Sequence, residues 1–180
     1  MNLHDHSFCL LDIETTGLST DYHEITEIAA IRVEPGFRIA GELSCLVRIE
    51  GRVPWHITDL TGITDRMLAA EGKPLAQVVR EIHAFLCGGA MFAHNASFDR
   101  RFMNEAARRT GLGAEFPLAC SIPVFKRLLP GRKGYGLPVL AEALGVDGGG
   151  AHRALADCRV LLGCLEKAHR FAGRVIPRGS

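Results

Sequence analysis

The chain has 180 residues, 47% of them apolar and 23% charged, with a formal net charge of +1. That is enough for one domain with a sizeable core and is the composition of an ordinary soluble globular protein. No apolar run approaches the length of about 18 residues that suggests a membrane span, no basic and then apolar leader opens the chain, and the six cysteines show neither a CxxC pair nor a metal-finger spacing, so a membrane, secretion and a disulfide framework are not expected and a cytoplasmic setting is.

The near-neutral balance hides an asymmetry: residues 1–90 carry 7 Lys+Arg and 13 Asp+Glu, residues 91–180 carry 14 and 7. Arg100, Arg101, Arg108, Arg109, Lys126, Arg127, Arg132, Lys133, Arg153 and Arg159 could give the second half a positive surface of the kind a phosphate backbone needs, although solvated faces use the same residues.

In chain order, Phe8-Cys9-Leu10-Leu11 has the length and composition of a buried strand, and Asp12-Ile13-Glu14-Thr15-Thr16-Gly17 follows at its end. Side chains two apart on a strand point the same way. Asp12 and Glu14 therefore project together, and like charges so close repel unless a cation sits between them; hard oxygen ligands suit magnesium or manganese. The small residues Thr15, Thr16 and Gly17 offer backbone and hydroxyl groups where a substrate could come close. Taken alone, the stretch reads equally well as a strand running into a turn.

Residues 24–33 make a second strand, ended by Glu34-Pro35-Gly36, and residues 37–49 its partner; the short link favours a hairpin, so three antiparallel strands open the domain. Residues 55–71, punctuated by Thr58, Thr61, Gly62 and Thr64, suit two short helices begun by threonine or aspartate caps. Leu75, Val78, Val79, Ile82, Phe85 and Leu86 recur at helical spacing, with Pro74 in the first turn and Gly88-Gly89 as the stop.

A short strand over residues 90–93 leads into a helix running to about Thr110, which Asn95 or Ser97 can cap. Asp99 falls in its first turn, where the macrodipole favours an acid, and it follows a strand that can lie near the one bearing Asp12. A short segment over residues 118–121, a helix ending near Leu129, the loop Pro130-Gly131-Arg132-Lys133-Gly134 and a helix over residues 137–144 continue the alternation of an α/β sheet with helices on its faces.

After Gly148-Gly149-Gly150, a last helix runs from about Arg153 to Phe171. His152 and Asp157 are five positions apart, about 500° of helical turn, so they cannot share a helix face and His152 sits off the helix. We expect one domain over residues 1–174 and a disordered tail over 175–180, whose Pro-Arg-Gly-Ser ending is of the kind that cloning leaves.

Four acids on separate elements and one histidine, in the order D-x-E, D, H-x4-D, are more specific than any part alone. The pattern resembles the DEDDh, or DnaQ-like, family of 3′–5′ exonucleases. Asp12-Ile13-Glu14-Thr15-Thr16-Gly17-Leu18 is similar to its first motif, Ala93-His94-Asn95-Ala96-Ser97-Phe98-Asp99 to its second and His152-Arg153-Ala154-Leu155-Ala156-Asp157 to its third. Leu60-Thr61-Gly62-Ile63-Thr64-Asp65 and Leu128-Leu129-Pro130-Gly131 resemble stretches of the bacterial proofreading epsilon-subunit branch. Cys120-Ser121 departs from the Asp-Thr that this branch often carries, a difference expected to alter packing or substrate contact.

The resemblance implies a ribonuclease-H-like mixed sheet with helices on both faces. It implies that Asp12, Glu14, Asp99 and Asp157 hold two divalent ions, Mg2+ or Mn2+, about 4 Å apart. His152 would take the proton of the attacking water, a task that suits a neutral imidazole. Thr15, Thr16, Gly17 and Leu18 would hold the terminal nucleotide, with backbone groups for its 3′ hydroxyl and Leu18 against its base, while Asn95 and Phe98 orient the helix of Asp99. The expected reaction is release of nucleoside monophosphates from free 3′ ends of single-stranded or frayed nucleic acid, DNA ahead of RNA. We expect a stand-alone enzyme or one loosely associated with a DNA polymerase. Competing readings are an RNA-trimming exoribonuclease, a ribonuclease-H-type endonuclease and a noncatalytic polymerase-associated module that binds nucleic acid.

Overall fold

The computed structural model describes residues 2–86, 89–148 and 152–175. Gly88, Gly149, Gly150 and the tail from residue 176, all weighed above, lie outside the described residues. Five strands form one mixed sheet in the order β3-β2-β1-β4-β5, comprising β1 (Phe8–Thr15), β2 (Ile25–Glu34), β3 (Arg38–Leu46), β4 (Ala90–Ala93) and β5 (Ala119–Cys120). The first three pair antiparallel and β4 and β5 join parallel, a ribonuclease-H-like arrangement. β1 and β2 are central and bury almost every side chain, whereas the edge strand β3 alternates exposed and covered positions.

Seven α-helices connect and cover the sheet among the described residues: α1 (Trp55–Thr61), α2 (Asp65–Glu71), α3 (Leu75–Phe85), α4 (Ser97–Thr110), α5 (Ile122–Leu128), α6 (Leu137–Leu144) and α7 (Ala154–Val175). The pleat of β1 divides the core in two. Cys9, Leu11 and Ile13 pack with Val78, Val79 and Ile82 of α3 and Phe102 and Met103 of α4. Phe8 and Leu10 face the other way, onto Phe125 of α5, Leu140 of α6 and Leu161 and Leu165 of α7. Val53, Ile63 and Leu68 form a smaller cluster under α1 and α2. None of the described helices is long and apolar enough to cross a membrane.

Several local expectations need correction. β1 continues past Leu11 to Thr15, because ladder hydrogen bonds with β2 do not require apolar side chains. Thr64 caps α2 by accepting from the Met67 N–H at 3.2 Å, but α1 follows Pro54 and has no side-chain cap. Neither Asn95 nor Ser97 caps α4: Asn95 adopts a left-handed backbone (φ 59°), Ser97 is already helical and Ala96 occupies the cap position. α7 runs beyond Phe171 to Val175.

Candidate active site

The alternation that sends Phe8 and Leu10 toward α7 sends Asp12 and Glu14 the same way. Opposite Asp12 on β2 lies Ala29, small enough for α7 to approach, with Cys158 Sγ 3.8 Å from the Ala29 carbonyl oxygen. One helical position earlier, Asp157 completes a trio: carboxylate oxygens of Asp12, Glu14 and Asp157 all lie within 4.8 Å of one another.

Burial and mutual repulsion dominate their electrostatics. Burial, then Asp99, Asp157 and Glu14, raises the Asp12 pKa well above the ordinary carboxylate range. Burial, followed by the fields of Asp157, Glu27 and Asp99, pushes Glu14 up to about 8. Asp157 is also raised, mainly by burial, while His152 pulls it partly back. Asp99, buried in the first turn of α4, is brought into the field of this trio but is not one of its three members. Burial lifts it to about 7 despite hydrogen bonds from the backbone of Ile13 and its own N–H.

His152 lies outside α7, as its spacing from Asp157 requires, with a left-handed backbone (φ 61°) and a half-buried side chain. Directly after it, Arg153 is partly exposed but committed to a buried partner. Its Nε and a terminal guanidinium nitrogen each donate to Glu27 at 2.9 Å, forming a two-pronged pair with a carboxylate buried in β2. Sequence reasoning missed Glu27, although an acid beside the apolar run Ile28-Ala29-Ala30-Ile31 is itself a signal, since buried charges are tolerated only when paired.

The stretch expected to hold a nucleotide is folded on itself. Thr15 and Thr16 are buried; Thr15 Oγ1 donates to the Gly17 carbonyl at 2.6 Å, and Thr16 Oγ1 accepts from the Glu24 N–H at 3.0 Å. Gly17 lies against the His23 ring so tightly that a Cβ there would meet it at 2.3 Å. Leu18 is 77% exposed at the tip. Their hydroxyls thus shape the loop, and Leu18 is the side chain it presents.

At the end of β4, His94 Nε2 donates to the Tyr135 carbonyl at 2.9 Å and Nδ1 accepts from the Ser121 hydroxyl at 2.9 Å, a neutral tautomer consistent with burial lowering its pKa. Ser121 therefore supplies a hydroxyl to the second motif, while Cys120, its partner in the departure from the epsilon-like pattern, ends β5. Of the candidate phosphate-binding cations, Arg108 and Arg109 share Glu105 and Arg159 takes Glu42, so with Arg153 four of them are held in ion pairs within the fold.

A family model described as Exonuclease, RNase_T, matches residues 9–165. DNA polymerase III subunit epsilon of Aquifex aeolicus is 34% identical over 158 residues, covering 87% of this chain and 77% of the relative. PolC-type DNA polymerase III of Halalkalibacterium halodurans is 37% identical over 155 residues, which are 85% of this chain and 11% of that polypeptide, so the chain spans about a tenth of this relative. Among solved structures, exonuclease X in complex with 5′-overhanging duplex DNA matches with a TM-score of 0.71 at 28% identity, over 92% of this chain and 93% of that one.

Proposed function

This chain belongs to the exonuclease family, and from that premise we propose that it hydrolyses nucleic acid from the 3′ end, releasing nucleoside monophosphates, with DNA preferred over RNA. The observation that carries the reading is the convergence of Asp12, Glu14 and Asp157 from a strand and a helix, in the field of Asp99 and with His152 beside them on the non-helical approach to α7.

The donor set fits Mg2+ or Mn2+: its oxygen ligands are hard, and beyond the effect of burial the carboxylates raise one another's pKa, a repulsion that a cation between them would relieve. When bound, such ions supply charge that eases deprotonation of water and steadies a departing 3′ oxygen. In this reading Asp12, Glu14, Asp99 and Asp157 hold two of them. His152 accepts a proton from the attacking water at a ring nitrogen, and the neighbouring Asp157 stabilises the imidazolium that results. Leu18 packs against the terminal base while Thr15, Thr16 and Gly17 keep its loop in shape.

Preference for DNA is supported by the epsilon relative, a subunit of a DNA polymerase, and by the duplex DNA bound to exonuclease X. The same kinship supports a cytoplasmic setting and a polymerase as partner. A linear and a circular single-stranded DNA of one sequence, each incubated with Mn2+, test the reaction class: loss of the linear strand alone is expected, and cutting of the circle would mark an endonuclease. A matched RNA degraded faster than the linear DNA would reverse the substrate preference.

A further inference from the structure

We propose that Glu27 and Arg153 form an internal lock that sets the positions of His152 and Asp157, Glu27 acting as a positioning residue through Arg153 and the first turn of α7. The proposal rests on the nuclease reading for what those two side chains do, and on geometry alone for how they are held.

Glu27 is 1% exposed and stands opposite Glu14 in the β1–β2 register, yet it is not available to the acidic cluster. A carboxylate has about four lone-pair sites. Four donors meet them: two nitrogens of Arg153 at 2.9 Å, the Ala154 N–H at 3.1 Å and the Ser44 hydroxyl at 3.0 Å. Through Ala154, Glu27 satisfies one of the N–H groups that a helix N-terminus leaves unpaired and places a negative charge against the positive end of α7.

Arg153 links both functional side chains. Its carbonyl accepts the Asp157 N–H at 3.0 Å, the bond that begins the turn carrying Asp157. Its own N–H lies one peptide from His152, whose left-handed backbone is an arrangement that non-glycine residues keep only when their surroundings impose it. The fork fixes residue 153 in two directions, and residue 152 on one side and the helix on the other follow.

The test compares wild type with Glu27→Gln, Arg153→Lys and Arg153→Ala, using amide hydrogen exchange of the metal-free proteins and steady-state hydrolysis of an oligonucleotide with Mn2+. Exchange should quicken at residues 153–157 and stay unchanged in β1. For Arg153→Ala, kcat should fall by about 10²-fold, the effect of misplacing reacting groups by an ångström, with KM nearly unchanged. Arg153→Lys, which keeps the charge without the fork, should recover only part of this loss. If Arg153→Ala cannot fold, Glu27→Gln, nearly isosteric, decides in its place, with the same local exchange and lowered kcat expected. The lock is overturned by wild-type kcat in these variants, by full recovery with lysine, or by protection lost evenly across the sheet. A wild-type chain without nuclease activity would instead defeat the proposed function, and exchange at residues 153–157 would still decide the lock.

Discussion

Glu14 and Glu27 face each other directly across the β1–β2 ladder, and their carboxyls are driven in opposite directions. Burial and neighbouring acids push Glu14 up to about 8. Burial would raise Glu27 as well, but the Arg153 fork, the Ala154 N–H and the Ser44 hydroxyl overcome it and hold its pKa below the ordinary value. One acid has its counterion built into the chain. The other stands in a cluster whose repulsion a cation would relieve, which separates the proposed anchor from the proposed ligand within one pair of neighbours.

That contrast predicts a trade of stability against activity. Glu14→Gln removes one member of a repelling group, so the metal-free protein should gain about 1 kcal/mol or more, equivalent to roughly 2–4 °C in Tm per kcal/mol for a chain of this size. Metal-dependent hydrolysis should be lost in the same variant. Calorimetric unfolding in the presence of a chelator checks the first part; a lowered Tm would show that the carboxyls are not in net repulsion.

The same groups set a pH dependence. A carboxyl whose pKa is raised in the folded protein keeps a proton that the unfolded chain has already released, so its contribution to stability falls as pH climbs between the two values. The window runs from 4.5 to about 8 for Glu14 and from 3.8 to about 7 for Asp99. Glu27 works the other way: its contribution is present above the unfolded value and is lost as pH falls through its lowered one. Subtracting the pH profile of Glu14→Gln from that of the metal-free wild type should leave a stability difference that grows from pH 5 to pH 8. Mn2+ binding near neutral pH should also release protons, visible as a binding heat that depends on the ionisation heat of the buffer.

Gly17 supplies a packing prediction. A Cβ at this position would meet Cδ2 of His23 at 2.3 Å, and the ring is held in turn by contacts of Nδ1 at 3.2 Å with the Ser19 N–H and carbonyl. Gly17→Ala should therefore displace the loop bearing Leu18 and lower kcat/KM by about 10²-fold, the scale expected for a shift near an ångström. Adding His23→Ala should restore part of the loss by making room. No recovery would mean that the contact with the His23 ring is not what sets the loop.

Much of this architecture is legible in the sequence because it is written in local patterns. The run before Asp12, the hairpin at Glu34-Pro35-Gly36 and the helical stripe from Leu75 to Leu86 each specify an element without distant help. Local reading fails where tertiary structure chooses among acceptable local states. Asn95 is a good cap by type, but it takes a left-handed turn between β4 and α4. Arg153 is one basic residue among many in the second half of the chain, and its partner is 126 positions away; they meet only because α7 lies across β2. The partners of Thr15 and Thr16 are likewise set by the turn: Thr15 Oγ1 donates to the Gly17 carbonyl and Thr16 Oγ1 accepts from the Glu24 N–H, neither of which the sequence shows.

Variants at His152 and Asp12 distinguish the proposed base from a proposed ligand. Changing His152 to alanine should lower kcat by about 10² to 10⁴, the usual range for general-base catalysis, while Mn2+ binding by calorimetric titration stays near wild type. Asp12→Ala should weaken the binding itself. If His152→Ala turned over normally, the proton would have another acceptor.

Removal of nucleotides from a 3′ end is tested by incubating a 5′-labelled single-stranded DNA oligonucleotide with wild-type protein and Mg2+ or Mn2+. The expected result is a ladder of labelled products shortening one nucleotide at a time, release of nucleoside monophosphates, and no shortening with Asp12→Ala. Binding of the oligonucleotide by metal-loaded wild type without any shortening would contradict it.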